Sequence, residues 1–534
     1  MKSAYLFVRR TAVCMVLIFS LAMTGLGRIA AIAASDKVKA VAERNCSVIE
    51  LCKSRGTVYD TNMRFITNSE TSVAAVIYPT KEAISKIGDY LTENREEILN
   101  TLKKGNAAVG FLSEKVWING VECFSVRRTK EVPPAVHLVG YLDGNYDGST
   151  GLQKSYNELL SSGSISVRIP ITAAGKPILS CSPEIFYDET AQRSGVITTI
   201  DINIQKIAEN ASESINSGAV IITEVGSGKI RAMVSRPAYN PQKIYESLND
   251  DSSPLINRAI SNYNVGSVFK PCIAAAALEN GILEDRSFNC VGKSEIAGRT
   301  FRCNNVKGHG NLTLSAALGR SCNCYFYSLA LLSGADAIYN TAASFPFLNS
   351  IKLADGIVSQ RGNITACETL KNSEAATANF AIGQGDIMLS PLAVSTLYEA
   401  IANGGIYHIP SLIEGTVENG EIIKDEQTST PTRAFSENTA NILKSCLSET
   451  MTDGTGTKGN PEKTTAAGKT ATAETGWKKN GNKVTQGWFC GFFPAENPKY
   501  VAVILAEGTS SGGSVCAPVF KQIADSVADA GLLR

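Results

Sequence analysis

Ser267 and Lys270 stand three positions apart in Val265-Gly266-Ser267-Val268-Phe269-Lys270-Pro271, at the mouth of an alanine-rich run, Cys272 to Asn280, that Gly281 can close. Residues i and i+3 share one helix face with Cβ atoms about 5–6 Å apart, so the lysine amine can take the proton of the serine hydroxyl. The positive end of the helix dipole favours the alkoxide that forms. A hydroxyl nucleophile beside a base is the equipment of acyl transfer. The same spacing also fits an ordinary solvated helix start, so its meaning depends on what else the chain carries.

Two further segments carry polar residues in a related pattern. Ser321-Cys322-Asn323 opens another apolar helical stretch, Tyr325 to Leu332, and Lys469-Thr470-Ala471-Thr472 begins a strand after Ala466-Ala467-Gly468. Ser-x-x-Lys, then Ser-x-Asn, then Lys-Thr-Gly resembles the motif set of the penicillin-recognising serine acyl enzymes, which include penicillin-binding proteins and serine β-lactamases. Ala471 stands where that family usually has Gly, and Val265 where many relatives have Pro. Ile382-Gly383-Gln384-Gly385 with Ser390-Pro391-Leu392 is similar to the stretch before the third motif in monofunctional, class B penicillin-binding proteins. Arg55-Gly56-Thr57-Val58-Tyr59-Asp60, His137-Leu138-Val139-Gly140-Tyr141 and Gly151-Leu152-Gln153-Lys154 resemble their N-terminal pedestal. Thr199-Ile200-Asp201 with Gln205-Lys206 resembles the first helix of the catalytic half, and Gly218 to Arg236 its first hairpin. The similarity extends over roughly residues 45 to 534.

The resemblance implies an α+β fold, an antiparallel sheet covered by helices, with a mixed pedestal domain and an N-terminal transmembrane helix. It divides the chain into a cytoplasmic tail (1–10), an anchor or signal (11–34), a pedestal (35–185) and a transpeptidase domain (186–534). It also implies roles for single residues in acyl transfer from a D-Ala-D-Ala stem peptide. Ser267 attacks, and Lys270 is the base, its pKa lowered by Lys469 and by partial burial. Ser321 relays a proton between Lys469 and the leaving nitrogen, while Asn323 holds Lys270 and the substrate amide. Thr470 binds the substrate carboxylate, and the backbone N–H groups of Ser267 and Thr472 form the oxyanion hole. Side chains alternate along a strand, so Thr470 and Thr472 share one face while Lys469 and the Ala471 methyl share the other, beneath the cleft. The implied partners are stem peptides, β-lactams, the membrane, a separate glycan polymerase and divisome-type proteins, in cell division or spore wall synthesis. Two other readings stay open: a β-lactamase or β-lactam sensor with the same chemistry, and a catalytically impaired divisome scaffold.

Composition and patterning agree. The chain has 534 residues, 44% hydrophobic and 19% charged, enough for two or three globular domains. A net charge of +1 argues against a nucleic-acid partner. Ala219 to Thr223 and Ile230 to Val234 predict a hairpin around Gly226-Ser227-Gly228, Trp488 to Phe493 and Tyr500 to Ala506 two more strands, and Pro518 to Ala530 a closing amphipathic helix.

Lys2, Arg9 and Arg10 precede an uncharged run from Thr11 to Gly27, which predicts a single membrane pass with the basic end cytoplasmic and the catalytic domain outside. Ala31-Ile32-Ala33 keeps a cleaved signal peptide open. Of the 14 cysteines, Cys14 lies in that run, leaving an odd number for an oxidising compartment. Three histidines and the lack of Cys-x-x-Cys argue against zinc, and no cofactor or metal is expected. Cys290 and Cys303 are a candidate disulfide bracketing a Gly-containing loop, with two buried thiols as the alternative. Oxidation at Cys322 would affect the second motif.

Overall fold

The runs Ala219-Val220-Ile221-Ile222 and Val501-Ala502-Val503-Ile504-Leu505 are apolar at consecutive positions, a pattern that suits strands buried on both faces. The computed structural model describes residues 2–33, 45–161, 163–179, 181–188, 193–425, 429–479 and 482–533. In it these runs are neighbours in a five-stranded antiparallel sheet. Its strands are β1 (Gly218–Glu224), β2 (Ile230–Arg236), β3 (Ala467–Lys479), β4 (Asn482–Phe493) and β5 (Tyr500–Glu507), in the order β2-β1-β5-β4-β3. The chain enters at one edge as a hairpin and returns about 230 residues later to add the other three strands, the last-placed edge being β3.

Among the described residues the helices of ten residues or more are α1 (Lys2–Ala33), α2 (Ile202–Ala211), α3 (Lys270–Glu279), α4 (Asn323–Ser333), α5 (Pro391–Ala402), α6 (Glu437–Thr452) and α7 (Gly512–Asp529). Val220, Ile222, Phe489 and Ile504 turn to one face of the sheet, where they join Ile204 and Ala208 of α2 and Phe520 and Ile523 of α7. Ile221, Trp488, Val503 and Leu505 turn to the other, against α5, in the apolar cluster that also contains α3. Every residue of α5 is buried, as is α3 from Lys270 through Ala277. Helices without a polar face are core helices. The sandwich of helices about an antiparallel sheet is the expected α+β arrangement. One boundary differs: α7 begins at Gly512 rather than Pro518, and Pro518 lies inside it. Packing of Cys516, Ala517 and Val519 against the sheet outweighs the local penalty of the proline.

The chain divides into two units. The first comprises residues 1–55, 70–128 and 163–189, and the second residues 56–69, 129–162 and 190–534. Segments 56–69 and 129–162, inside the stretch expected to form the pedestal, therefore lie in the same unit as the sheet. There Thr57–Tyr59 runs parallel to Gly195–Thr198. Asp60 accepts from the N–H groups of Asn62, Arg64 and Ile202, and Arg64 bridges it to Asp201, the cap of α2. In the first unit Cys46–Ser54, Gly163–Pro170 and Glu184–Tyr187 form one three-stranded sheet, and Ala108–Leu112, Glu70–Ile77 and Val121–Arg128 another. Helix α1 contains a stretch, Phe7–Ile32, long and apolar enough to cross a membrane. Its 26 residues reach about 39 Å, beyond the ~30 Å hydrocarbon core. The expected end of the anchor at residue 34 lies outside the described residues.

Candidate active site

The nucleophile candidate is placed by two glycines. Gly266 has φ +60° and donates to the Gly383 carbonyl at 2.9 Å, while a Cβ on Gly266 would meet that of Ala473 at 3.1 Å. Gly383 has φ +69°, and a Cβ there would lie 2.1 Å from the Gly266 carbonyl oxygen. Only glycine satisfies both the left-handed backbone and the close approach. Ser267 follows in a 3-10 turn, Gly266–Phe269, that runs into α3 with Pro271 in its first turn, where a missing N–H costs nothing.

Lys270 is fully buried, and its Nζ donates to the Ser321 carbonyl at 2.8 Å, to Ser321 Oγ at 3.2 Å and to Asn323 Oδ1 at 2.8 Å. The first and second motifs thus meet at one amine. Burial lowers the Lys270 pKa to about 7, with the thiols of Cys322, Cys303 and Cys324 opposing. The expected help from Lys469 is not the cause. Repulsion between the two lysines bears on Lys469, which burial first and Lys270 second hold well below its ordinary value.

Ser321 sits at φ +53°, a left-handed conformation that costs a non-glycine residue on the order of 1–3 kcal/mol. Cys322 caps α4, its Sγ accepting from the Tyr325 N–H at 3.4 Å. The third motif runs along β3, with Lys469 opposite Cys490 and Ala471 opposite Trp488. Lys469 Nζ donates to the Thr470 carbonyl at 3.0 Å and to Thr455 Oγ1 at 3.5 Å. Ser321 therefore bonds to Lys270, and the hydroxyl against Lys469 belongs to Thr455. Thr470 Oγ1 also bonds to Thr455 Oγ1, at 2.9 Å, and Thr472 Oγ1 accepts from the Gly512 N–H at 3.2 Å. Ala471 is buried in the apolar cluster that contains Trp488 and α3, while Thr472 is exposed.

Ser267, Ser321, Asn323, Thr470, Ala471 and Thr472 line one cleft of about 440 Å³, with Lys270 and Lys469 buried behind its wall. The cleft is also lined by Asn304, Thr455, Lys458, Ser511 and Ser514, which sequence reasoning missed. The polar, glycine-rich run Asp453-Gly454-Thr455-Gly456-Thr457 was the available signal for Thr455; its backbone N–H bonds to the Gly319 carbonyl, tying this loop to the approach to Ser321.

All fourteen cysteines are free thiols, so Cys290 and Cys303 are not joined to each other. They belong instead to the group of metal-ligating side chains found among the described residues, Cys290, Cys303, His309 and Cys322, whose ligand atoms all lie within 4.8 Å of one another. Cys322 is the middle residue of the second motif.

Residues 218–525 match the family described as the penicillin binding protein transpeptidase domain. The chain is 31% identical over 373 residues to the peptidoglycan D,D-transpeptidase PbpA of Mycolicibacterium smegmatis, a match covering 63% of this chain and 73% of that one. Its fold resembles the D,D-transpeptidase domain of a peptidoglycan glycosyltransferase from Eggerthella lenta, with a TM-score of 0.66, 24% identity, and coverage of 90% of this chain and 99% of the other. It also resembles penicillin-binding protein A from M. tuberculosis, solved as a ceftriaxone acyl-enzyme complex, with a TM-score of 0.65, 22% identity, and coverage of 89% and 98%.

Proposed function

The chain belongs to the penicillin-binding protein transpeptidase family, of the monofunctional class B kind, and on that premise we propose that it cross-links peptidoglycan stem peptides through an acyl-enzyme on Ser267. The observation that carries this reading is the buried Lys270 amine, one helical turn from Ser267 and hydrogen-bonded to both Ser321 and Asn323. Burial favours the neutral amine, and a neutral amine is a base.

In the proposed reaction the Ser267 hydroxyl gives its proton to Lys270 as Oγ attacks the carbonyl of the penultimate D-Ala. The bond to the terminal D-Ala nitrogen then breaks. Ser321, bonded to Lys270, passes the proton to that nitrogen, and free D-Ala leaves. The amine of a second stem peptide attacks the ester, its proton returns through the same pair to Ser267, and the cross-link is released. Backbone N–H groups of Ser267 and Thr472 receive the oxyanion, and Thr470 receives the substrate carboxylate. Asn323 fixes Lys270 and the substrate amide. Lys469, buried behind the cleft, holds the Thr455 hydroxyl and the Thr470 backbone in place by donating to both. A β-lactam enters as a stand-in for D-Ala-D-Ala and stops at the ester.

Helix α1 is read as a single membrane pass with the basic end cytoplasmic and the catalytic unit outside, where stem peptides, a separate glycan polymerase and divisome-type partners are found during division or spore wall synthesis. The test is to incubate the full-length chain with fluorescent penicillin, map the label by mass spectrometry and follow its release. Stable label on Ser267, lost in Ser267→Ala, is the expected result. Label on another serine overturns the assignment, rapid release of the penicilloyl group would make the chain a β-lactamase, and failure of a folded chain to acylate would make it a scaffold.

A further inference from the structure

Residues 288–312 leave the helical core as two short ribbons. Phe288–Cys290 pairs with Gly310–Leu312, and Lys293–Ile296 pairs with Arg299–Arg302. The excursion has little core of its own: from Ser287 to Thr313 the buried side chains are Cys290, Ile296, Cys303 and Leu312. Two of those four are cysteines, and their thiols turn toward a common point with His309 and Cys322. Cys290 Sγ and Cys303 Sγ each lie 3.6 Å from His309 Nδ1, and Cys303 Sγ lies 3.8 Å from Cys322 Sγ.

These lengths have a specific meaning. Tetrahedral zinc holds sulfur at about 2.3 Å and imidazole nitrogen at about 2.0–2.1 Å, which places ligand sulfurs about 3.8 Å apart and sulfur and nitrogen about 3.6 Å apart. A disulfide would need about 2.05 Å between sulfurs, and it would leave the third thiol and the imidazole without a purpose. We propose that Cys290, Cys303, His309 and Cys322 form a structural Cys₃His site for Zn²⁺, and that the ion locks the 288–312 excursion to the start of α4.

The surroundings fit a built site. Backbone bonds fix the ligand-bearing turns, from the His309 N–H to the Cys290 carbonyl and from the Cys303 N–H to the Gly292 carbonyl, both at 2.9 Å. Cys322 Sγ already accepts from the Tyr325 N–H at the positive end of α4, a bond that favours a thiolate. The Cys303 thiol donates to Asn304 Oδ1 at 3.0 Å, a contact given up when the thiol loses its proton. Binding displaces three thiol protons and leaves a closed four-ligand shell with no position for water, as a structural site requires. The three cysteines are buried and His309 is half-buried, so the imidazole side is the way in.

The consequence for the cleft rests on the catalytic reading above. Ser321 and Asn323 flank Cys322, and both hold Lys270. The metal would fix the left-handed backbone of Ser321 from behind, making the four ligands positioning residues.

The experiment is elemental analysis of the full-length chain purified in detergent under reducing conditions. About one zinc per chain is expected, unchanged in Ser267→Ala, so that the metal and the acylation chemistry are read separately. Cys290, Cys303 and Cys322 should resist alkylation until a chelator is added, and metal removal should slow penicillin acylation at least about tenfold, with recovery on returning Zn²⁺. His309→Ala, at the half-buried ligand, should keep the fold and lose zinc to a chelator more readily. Should Cys290→Ser fail to fold, the unsubstituted chain still decides through Co²⁺ exchange and its tetrahedral thiolate absorption. A folded, penicillin-reactive chain that takes up neither Zn²⁺ nor Co²⁺, or one whose three thiols alkylate freely or pair as a disulfide under reducing conditions, overturns the proposal.

Discussion

Helix α3 and the 288–312 excursion both reach the second motif, and they hold it by opposite means. Helix α3 is buried from Lys270 to Ala277 and packs against α4, α6 and the helix Ala335–Ala343, so its grip is apolar contact accumulated over many residues. The excursion is mostly exposed, its strands are three or four residues long, and its buried side chains are few. One end of the Ser321-Cys322-Asn323 segment is therefore fixed by the core, and its other flank by a small polar module gathered around sulfur. A catalytic group can be set by bulk packing, but a backbone held in a strained conformation needs a local tie as well.

The largest effect should come from the core side. Lys270→Ala removes both the base and the link to Ser321 and Asn323, and acylation by penicillin should fall by about 10³-fold or more in stopped-flow measurements. A loss under tenfold would show that another group takes the Ser267 proton. Next, the two regions should differ in stability. Ile273→Ala, inside the fully buried turn of α3, should cost about 2–5 kcal/mol in denaturant unfolding. Phe301→Ala, half-buried in the excursion, should cost under about 1.5 kcal/mol and slow acylation more than it lowers stability. Equal costs at the two positions would mean that the excursion is held by apolar packing as α3 is.

The Lys270 pKa is lowered to about 7, and only the neutral amine accepts a proton, so acylation should rise about tenfold per pH unit below that value and level off above it. In Asn323→Ala, which removes one neutral oxygen from the ammonium, the midpoint should move down. A flat profile from about pH 5.5 to 8 would disqualify Lys270 as the base. The smallest effect belongs to Ala471→Gly. Its methyl packs into the cluster containing Trp488, away from the Thr470 and Thr472 hydroxyls, so acylation should change by less than about tenfold, equivalent to ~1.4 kcal/mol. A gain of about 100-fold would mean that the methyl disturbs the oxyanion donors.

Much of this was legible in the sequence because it rests on local pattern. Consecutive apolar residues marked β1 and β5, Gly226 and Gly228 marked their turn, and an alanine-rich run marked α3. Ser267, Lys270, Ser321, Asn323 and the strand from Lys469 were legible from their spacing. What was not legible depends on residues distant in the chain. Thr455 meets Lys469 and Thr470 only because β3 lies beside the loop after α6. The burial of Lys270, the first cause of its lowered pKa, depends on Ser321, Asn323 and Phe326, which lie far along the chain from it. Cys290 and Cys303 lie 19 and 6 positions from His309, intervals that match no familiar ligand pattern, and only the folded ribbons bring them to Cys322.

The interlocked Gly266 and Gly383 limit how this cleft can evolve. Because a side chain at either position would be held in a left-handed backbone and crowd its neighbour, the turns that seat Ser267 cannot be altered there without disturbing it. Ser321 is similarly constrained by the amine it faces. Heritable variation in what the cleft accepts is therefore channelled to the rim, to positions such as Lys458 and Ser514, which line the cleft away from the turn that seats Ser267.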